Sequence, residues 1–115
     1  MLEISVAAGA AGPVMTLAGE ADLTNAAALG EALAAQVSGG ARRLTVDLSG
    51  LRFADSASVR ELVLAGRALH ERGGVLVLVR PQPGVARVLT MMGVDQAITI
   101  RTGTGTGAGP GPEGR

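Results

Sequence analysis

Apolar and polar residues alternate from Leu2 to Val6, and this period of two predicts a strand. Gly9 to Pro13 forms a turn, and Val14-Met15-Thr16-Leu17-Ala18 predicts a second strand that makes a hairpin with the first. Gly19-Glu20-Ala21-Asp22 breaks the pattern. Thr24 or Asn25 then caps a helix whose apolar face is Ala26, Leu29, Leu33 and Val37 and whose stop is Gly39-Gly40. Leu44-Thr45-Val46-Asp47-Leu48 predicts a third strand. A second helix turns Val59, Leu62, Val63, Gly66 and Leu69 inward and ends at Gly73-Gly74. The unbroken apolar run Val75 to Val79 predicts a strand covered on both faces or set inside a sheet. Pro83 opens a third helix carrying Val85, Val88, Leu89 and Met92 on one face, Gly93 closes it, and Ala97-Ile98-Thr99-Ile100 is the last strand.

The order β-β-α-β-α-β-α-β predicts an α/β domain: a small mixed sheet of about five strands, with three or four helices on right-handed crossovers. Partners of such sheets gather at the carboxyl ends of the parallel strands. Three loops are expected to meet there, Gly19 to Asn25, Leu51 to Ser58 and Arg80 to Gly84. Residues 1–101 form the domain. From Thr102 to Arg115 no apolar side chain is larger than Ala, so the tail cannot offset its ordering entropy and is expected to be disordered.

Composition narrows the chemistry. At 115 residues the chain holds one core. Ten arginines balance ten acidic residues, and Phe53 is the sole aromatic, which leaves neither a basic excess nor a stacking platform for nucleic acid. The absence of Cys excludes disulfides and a thiolate metal site, and no cofactor or metal is expected. The longest apolar run, five residues, is far below the ~20 that span a bilayer. Met1-Leu2-Glu3-Ile4 lacks the charge and apolar run of a signal peptide, so no membrane insertion and a cytoplasmic location are expected.

The chemistry concentrates in Phe53-Ala54-Asp55-Ser56-Ala57-Ser58-Val59, a polar knot between strand and helix patterns, where a helix N-terminus favours phosphate. Ser58 and Glu61 match the S-x-x-E capping box, which places Asp55 and Ser56 just outside the helix. Glu20 and Asp22 read either as a solvated turn with a cap or as a surface beside the Asp55 loop. No base stands near the hydroxyls to make a nucleophile. His70 lies near the far end of the second helix, roughly 20 Å away, so a Ser-His-Asp triad is rejected. An enzyme or nucleotide-binding protein built on Asp22 and Asp55 is the weakest reading.

Leu17-Ala18-Gly19-Glu20-Ala21-Asp22-Leu23, the stretch from Leu44 to Ser56, Gly73 to Val79 and Val85 to Val94 follow in order and at family spacing. In these segments the chain resembles the STAS domain of bacterial anti-sigma-factor antagonists over residues 2 to 101, with D-L-S-G-x-x-F-x-D-S the most specific part. The resemblance implies a non-catalytic partner switch. The unmodified protein would bind an anti-sigma factor that is also a serine kinase of the histidine-kinase-like ATPase fold, freeing a sigma factor. The kinase would phosphorylate Ser56 and break the complex, and a serine phosphatase would reset it. Glu20, Asp22, Thr24, Asp55, Ser56, Ala57 and Ser58 are the expected partner-binding residues. Ala57 and Ser58 depart from the common D-S-[ST]-G pattern: Ala57 removes one competing hydroxyl, and Ser58 supplies a second, less favoured phosphoacceptor. The alternative is a STAS subunit that is never phosphorylated and acts as a scaffold in a transporter or stress-signalling complex.

Overall fold

A computed structural model describes residues 1–94 and 98–101; the predicted tail and Ala97 lie outside the described residues. The elements follow the expected order: β1 (Leu2–Ala7), β2 (Val14–Ala21), α1 (Ala26–Ser38), β3 (Arg43–Ala54), α2 (Ser56–Glu71), β4 (Val75–Val79), α3 (Pro83–Met91) and β5 (Thr99–Arg101). β1 pairs antiparallel with β2, and β2, β3, β4 and β5 run parallel, so the strands lie across the sheet in chain order. Right-handed crossovers that always step the same way leave every helix on one face. The core is accordingly a single cluster, with Leu17, Val46 and Leu78 from the strands packed on Leu33, Leu62 and Leu89 from the helices.

Helical periodicity located the packing faces. Ala26, Leu29, Leu33 and Val37 of α1 are all buried, as are Val59, Leu62, Gly66 and Leu69 of α2. Gly66 is required by close approach: a Cβ there would stand 2.8 Å from Ile98 Cγ1. On α3, Val85 and Leu89 are buried, but Met92 falls just beyond the last turn and is 41% exposed.

Two strands outrun their patterns. β2 continues through Gly19 and Glu20 to Ala21, and β3 continues from Leu48 to Ala54, with shifts of register between Thr16 and Ala18 and between Gly19 and Glu20. Such bulges spoil the alternation that marks a strand. Gly19 absorbs one of them at φ +103°, and a Cβ there would collide with the carbonyl oxygen of Met1.

The run Val75 to Val79 is set inside the sheet, between β3 and β5, the second of the two readings its pattern allowed. Leu76 and Leu78 enter the core, whereas Val77 alternates to the other side and is 1% exposed without joining the core cluster.

β4 ends at Val79, opposite Asp47, while β3 runs seven residues further to Ala54. Beyond Asp47 only β2 accompanies it, over roughly 20 Å of strand. The Arg80 to Gly84 loop therefore meets β3 at mid-length. Arg80, at φ +54°, forms an ion pair with the Asp47 carboxylate, and Gln82 Nε2 donates to the Ser49 carbonyl at 2.8 Å. Burial alone would raise the Asp47 carboxyl, but the Ser49 N–H and the Arg80 guanidinium outweigh it and hold it below the ordinary aspartate value.

Candidate functional site

The ends of β2 and β3 bring two acidic loops together. Glu20 stands opposite Phe53 and Ala21 opposite Ala54, and the Asp55 N–H donates to the Ala21 carbonyl at 3.1 Å. Asp22 and Asp55 thus leave the sheet side by side, as expected. The third loop does not join them, because β4 stops short.

The start of α2 differs from the capping-box expectation. Asp55 is the N-cap, extended at φ −96° and ψ −179°, and its carboxylate accepts from the Ser58 N–H at 3.0 Å. Strand pairing holds Ala54 to the sheet, so the turn into the helix falls at Asp55, three residues before the matched box. Glu61 instead lies against Gly30 of α1, where a Cβ would strike its carboxylate. Ser56 is the first residue of the helix rather than outside it, and it is exposed. Ala57 is half-buried. Ser58 is 1% exposed, and its hydroxyl donates to Asp55 Oδ1 at 3.0 Å.

The β2 loop has its own frame. Asp22 Oδ1 accepts from the Thr24 N–H at 3.0 Å and from the Thr24 hydroxyl at 2.5 Å. Asn25 occupies the N-cap position of α1 but caps nothing; its Oδ1 accepts from the Asp22 N–H and its Nδ2 donates to the Glu20 carbonyl. The side chain that was expected to start the helix fastens the end of the strand. Glu20, read as part of a turn, lies in β2, with its carboxylate 2.5 Å from Arg52 and 3.3 Å from the Met1 amino group. Hydrogen bonds from Arg52 and then from that amine lower the Glu20 carboxyl, and the Thr24 hydroxyl lowers that of Asp22. Both stay charged near neutrality.

Two apolar residues that the sequence did not single out as contacts frame this surface: Leu23 is 77% exposed and Phe53 is 50% exposed. Only their identity hinted at them, since a bulged strand end hides which way a side chain points.

The arrangement presents an accessible hydroxyl at a helix mouth, Ser56, beside carboxylates that are already hydrogen-bonded; the exposed Thr24 hydroxyl is bonded to Asp22. His70 sits in the last turn of α2. Among the described residues no three His, Cys, Asp or Glu side chains gather as a metal site, and no helix is long and apolar enough to cross a membrane.

Comparison with known proteins agrees with the fold. A family model described as "Mlab, STAS domain" matches residues 4–102. "Putative anti-sigma factor antagonist BtrV" of Bordetella bronchiseptica is 36% identical over 80 residues, covering 70% of this chain and 69% of that protein. A crystal structure of an anti-sigma factor antagonist from Mycobacterium paratuberculosis superposes with a TM-score of 0.82 at 24% identity, over 90% of this chain and 88% of that one. The antagonist SpoIIAA in its unphosphorylated form gives 0.74 at 22% identity, over 87% and 89% of the two chains. At these identities the two structural likenesses speak for the fold.

Proposed function

The chain belongs to the STAS-domain family, and from that premise we propose that it is an anti-sigma factor antagonist switched at Ser56. In this reading it is a cytoplasmic, non-catalytic module. Unmodified, it binds a kinase-type anti-sigma factor of the histidine-kinase-like ATPase fold and so releases a sigma factor; a serine phosphatase reverses the modification.

One observation carries the proposal: of the two hydroxyls in the motif, Ser56 is exposed and Ser58 is buried and bonded to Asp55. A kinase can reach the first without unfolding the helix. A phosphate there adds about −1.5 to −2 charges at neutral pH beside Asp22 and Asp55, and a partner packed on Ser56 would bury an unpaired dianion. That costs several kcal/mol, and about every 1.4 kcal/mol is tenfold in affinity. Relatedness to BtrV supports the antagonist reading.

The test is calorimetric titration of the Ser56→Ala and Ser56→Asp variants against purified kinase-type anti-sigma factors of the source genome. Ser56→Ala is expected to bind like the unmodified protein and Ser56→Asp roughly a hundredfold more weakly or not at all. Equal affinities would end the proposal. Mass spectrometry of residues 53–60 after kinase treatment separates the switch from an unphosphorylated scaffold.

A further inference from the structure

The sheet has a second face. Among the described residues all three helices contribute to the one core cluster, so the face opposite carries no helix. Register places Ala7, Val14, Thr45, Val77 and Thr99 in one row across all five strands of that face. The row below it holds Arg43 and Val75, and the row above holds Asp47 and Val79. Around the Thr45–Val77 row the pattern reads alike in both directions: valine at either end of β4, and opposite charges at either end of β3.

We propose that this face binds a second copy of the chain, as an isologous sheet-on-sheet dimer whose two-fold axis runs along the Thr45–Val77 row, perpendicular to the strands. That operation lays Val75 on Val79 of the second copy and Arg43 on Asp47 of the second copy, each contact being made twice. Sheets pack about 10 Å apart face to face, a gap that an extended arginine and an aspartate fill together. Arg43 is available to such a partner, since it forms no ion pair among the described residues. Asp47 has room to accept it, since a carboxylate offers about four lone-pair directions and the Ser49 N–H and Arg80 use two. Val77 is already dry at 1% exposure. Glu3 and Arg101 share the face on its outer strands, Arg101 on β5 in the same row as Asp47 and Val79, and Glu3 on β1 farther from the axis.

The face is about 24 Å wide at ~4.8 Å per strand, which sets the contact at the weak end of specific interfaces, below about 1,200 Å² in total. The axis also points the two Ser56 ends in opposite directions, so the dimer leaves both open.

Sedimentation equilibrium of the full chain tests this. The apparent mass is expected to rise from monomer towards dimer across the micromolar to millimolar range. Thr45→Arg, which sets like charges against each other on the axis, and Arg43→Glu, which faces Asp47 of the second copy, should each weaken association roughly tenfold or more. Arg43→Glu with Asp47→Arg should recover it. Because Asp47→Arg also loses Arg80, a second measurement stands beside it. The chain has no Cys, so Thr45→Cys treated with a short bis-maleimide should cross-link in a concentration-dependent way, and Arg67→Cys on α2 should not. A monomer at every concentration, association untouched by Thr45→Arg, or equal cross-linking at both positions would overturn the proposal.

Discussion

Replacing Asp55 by Ala tests whether the helix start is built as described. The substitution removes the acceptor of two hydrogen bonds at once, from the Ser58 N–H and from the Ser58 hydroxyl, each 3.0 Å from Oδ1. Loss of an N-cap costs about 1 kcal/mol. The hydroxyl belongs to a side chain 1% exposed, so water does not replace the carboxylate, and a buried donor left unpaired costs about 1–3 kcal/mol more. The sum is about 2–4 kcal/mol, or a fall in Tm of roughly 10–20 °C for a domain of this size. Asp55→Asn keeps the acceptor oxygen and should cost under about 1 kcal/mol. Urea denaturation with an unchanged m value measures both. Ser58→Ala supplies the other arm of a double-mutant cycle: with the hydroxyl gone, Asp55→Ala should cost about 1–2 kcal/mol less than in the native background. If Asp55→Ala costs less than about 0.5 kcal/mol, or if Asn behaves as Ala, Asp55 is not the cap and the Ser58–Glu61 box regains its claim.

Gly66→Ala raises helix propensity by about 1 kcal/mol but drives a Cβ to 2.8 Å from Ile98 Cγ1, so a net loss of about 1–2 kcal/mol is expected; a stabilised variant in the same urea assay would contradict the packing. The Asp47 carboxyl is held below its ordinary value in the folded protein, so it contributes stability above about pH 4 that is lost as pH falls through the folded value. The stability difference between the native chain and Asp47→Asn should therefore shrink as the pH falls below about 4, and a difference that stays constant on acidification would remove the proposed role of Arg80 and Ser49.

Much of this fold was legible because helices repeat. The four inward positions of α1 and the order of the elements follow from period and turn residues alone, since one face of each helix must be dry. The ends of strands were not legible. In β3 the extra residues at Leu48–Ser49 and at Arg52 interrupt the alternation while the ladder with β2 itself continues. The same blind spot misplaced the cap. Asp55-Ser56-Ala57-Ser58 contains three competent cap residues, and only the pairing of Ala54 with Ala21 decides among them. Asn25 misled for the opposite reason: a good capping side chain was claimed by the strand before it. Val75 to Val79 read as an inner strand or a doubly covered one, because apolar residues cannot announce which face lacks a helix.

The overhang of β3 beyond β4 separates two mechanical regimes within one small sheet. Strands in the middle are braced on both sides, whereas the segment that carries Phe53 and leads into Ser56 is held by β2 on one side and by the helix layer beneath. Forces exerted there by an arriving or departing partner are borne by that two-strand lever, and the five-stranded centre is spared. Under the proposed switch, a charge placed on Ser56 would act on the tip and ask no movement of the body of the domain.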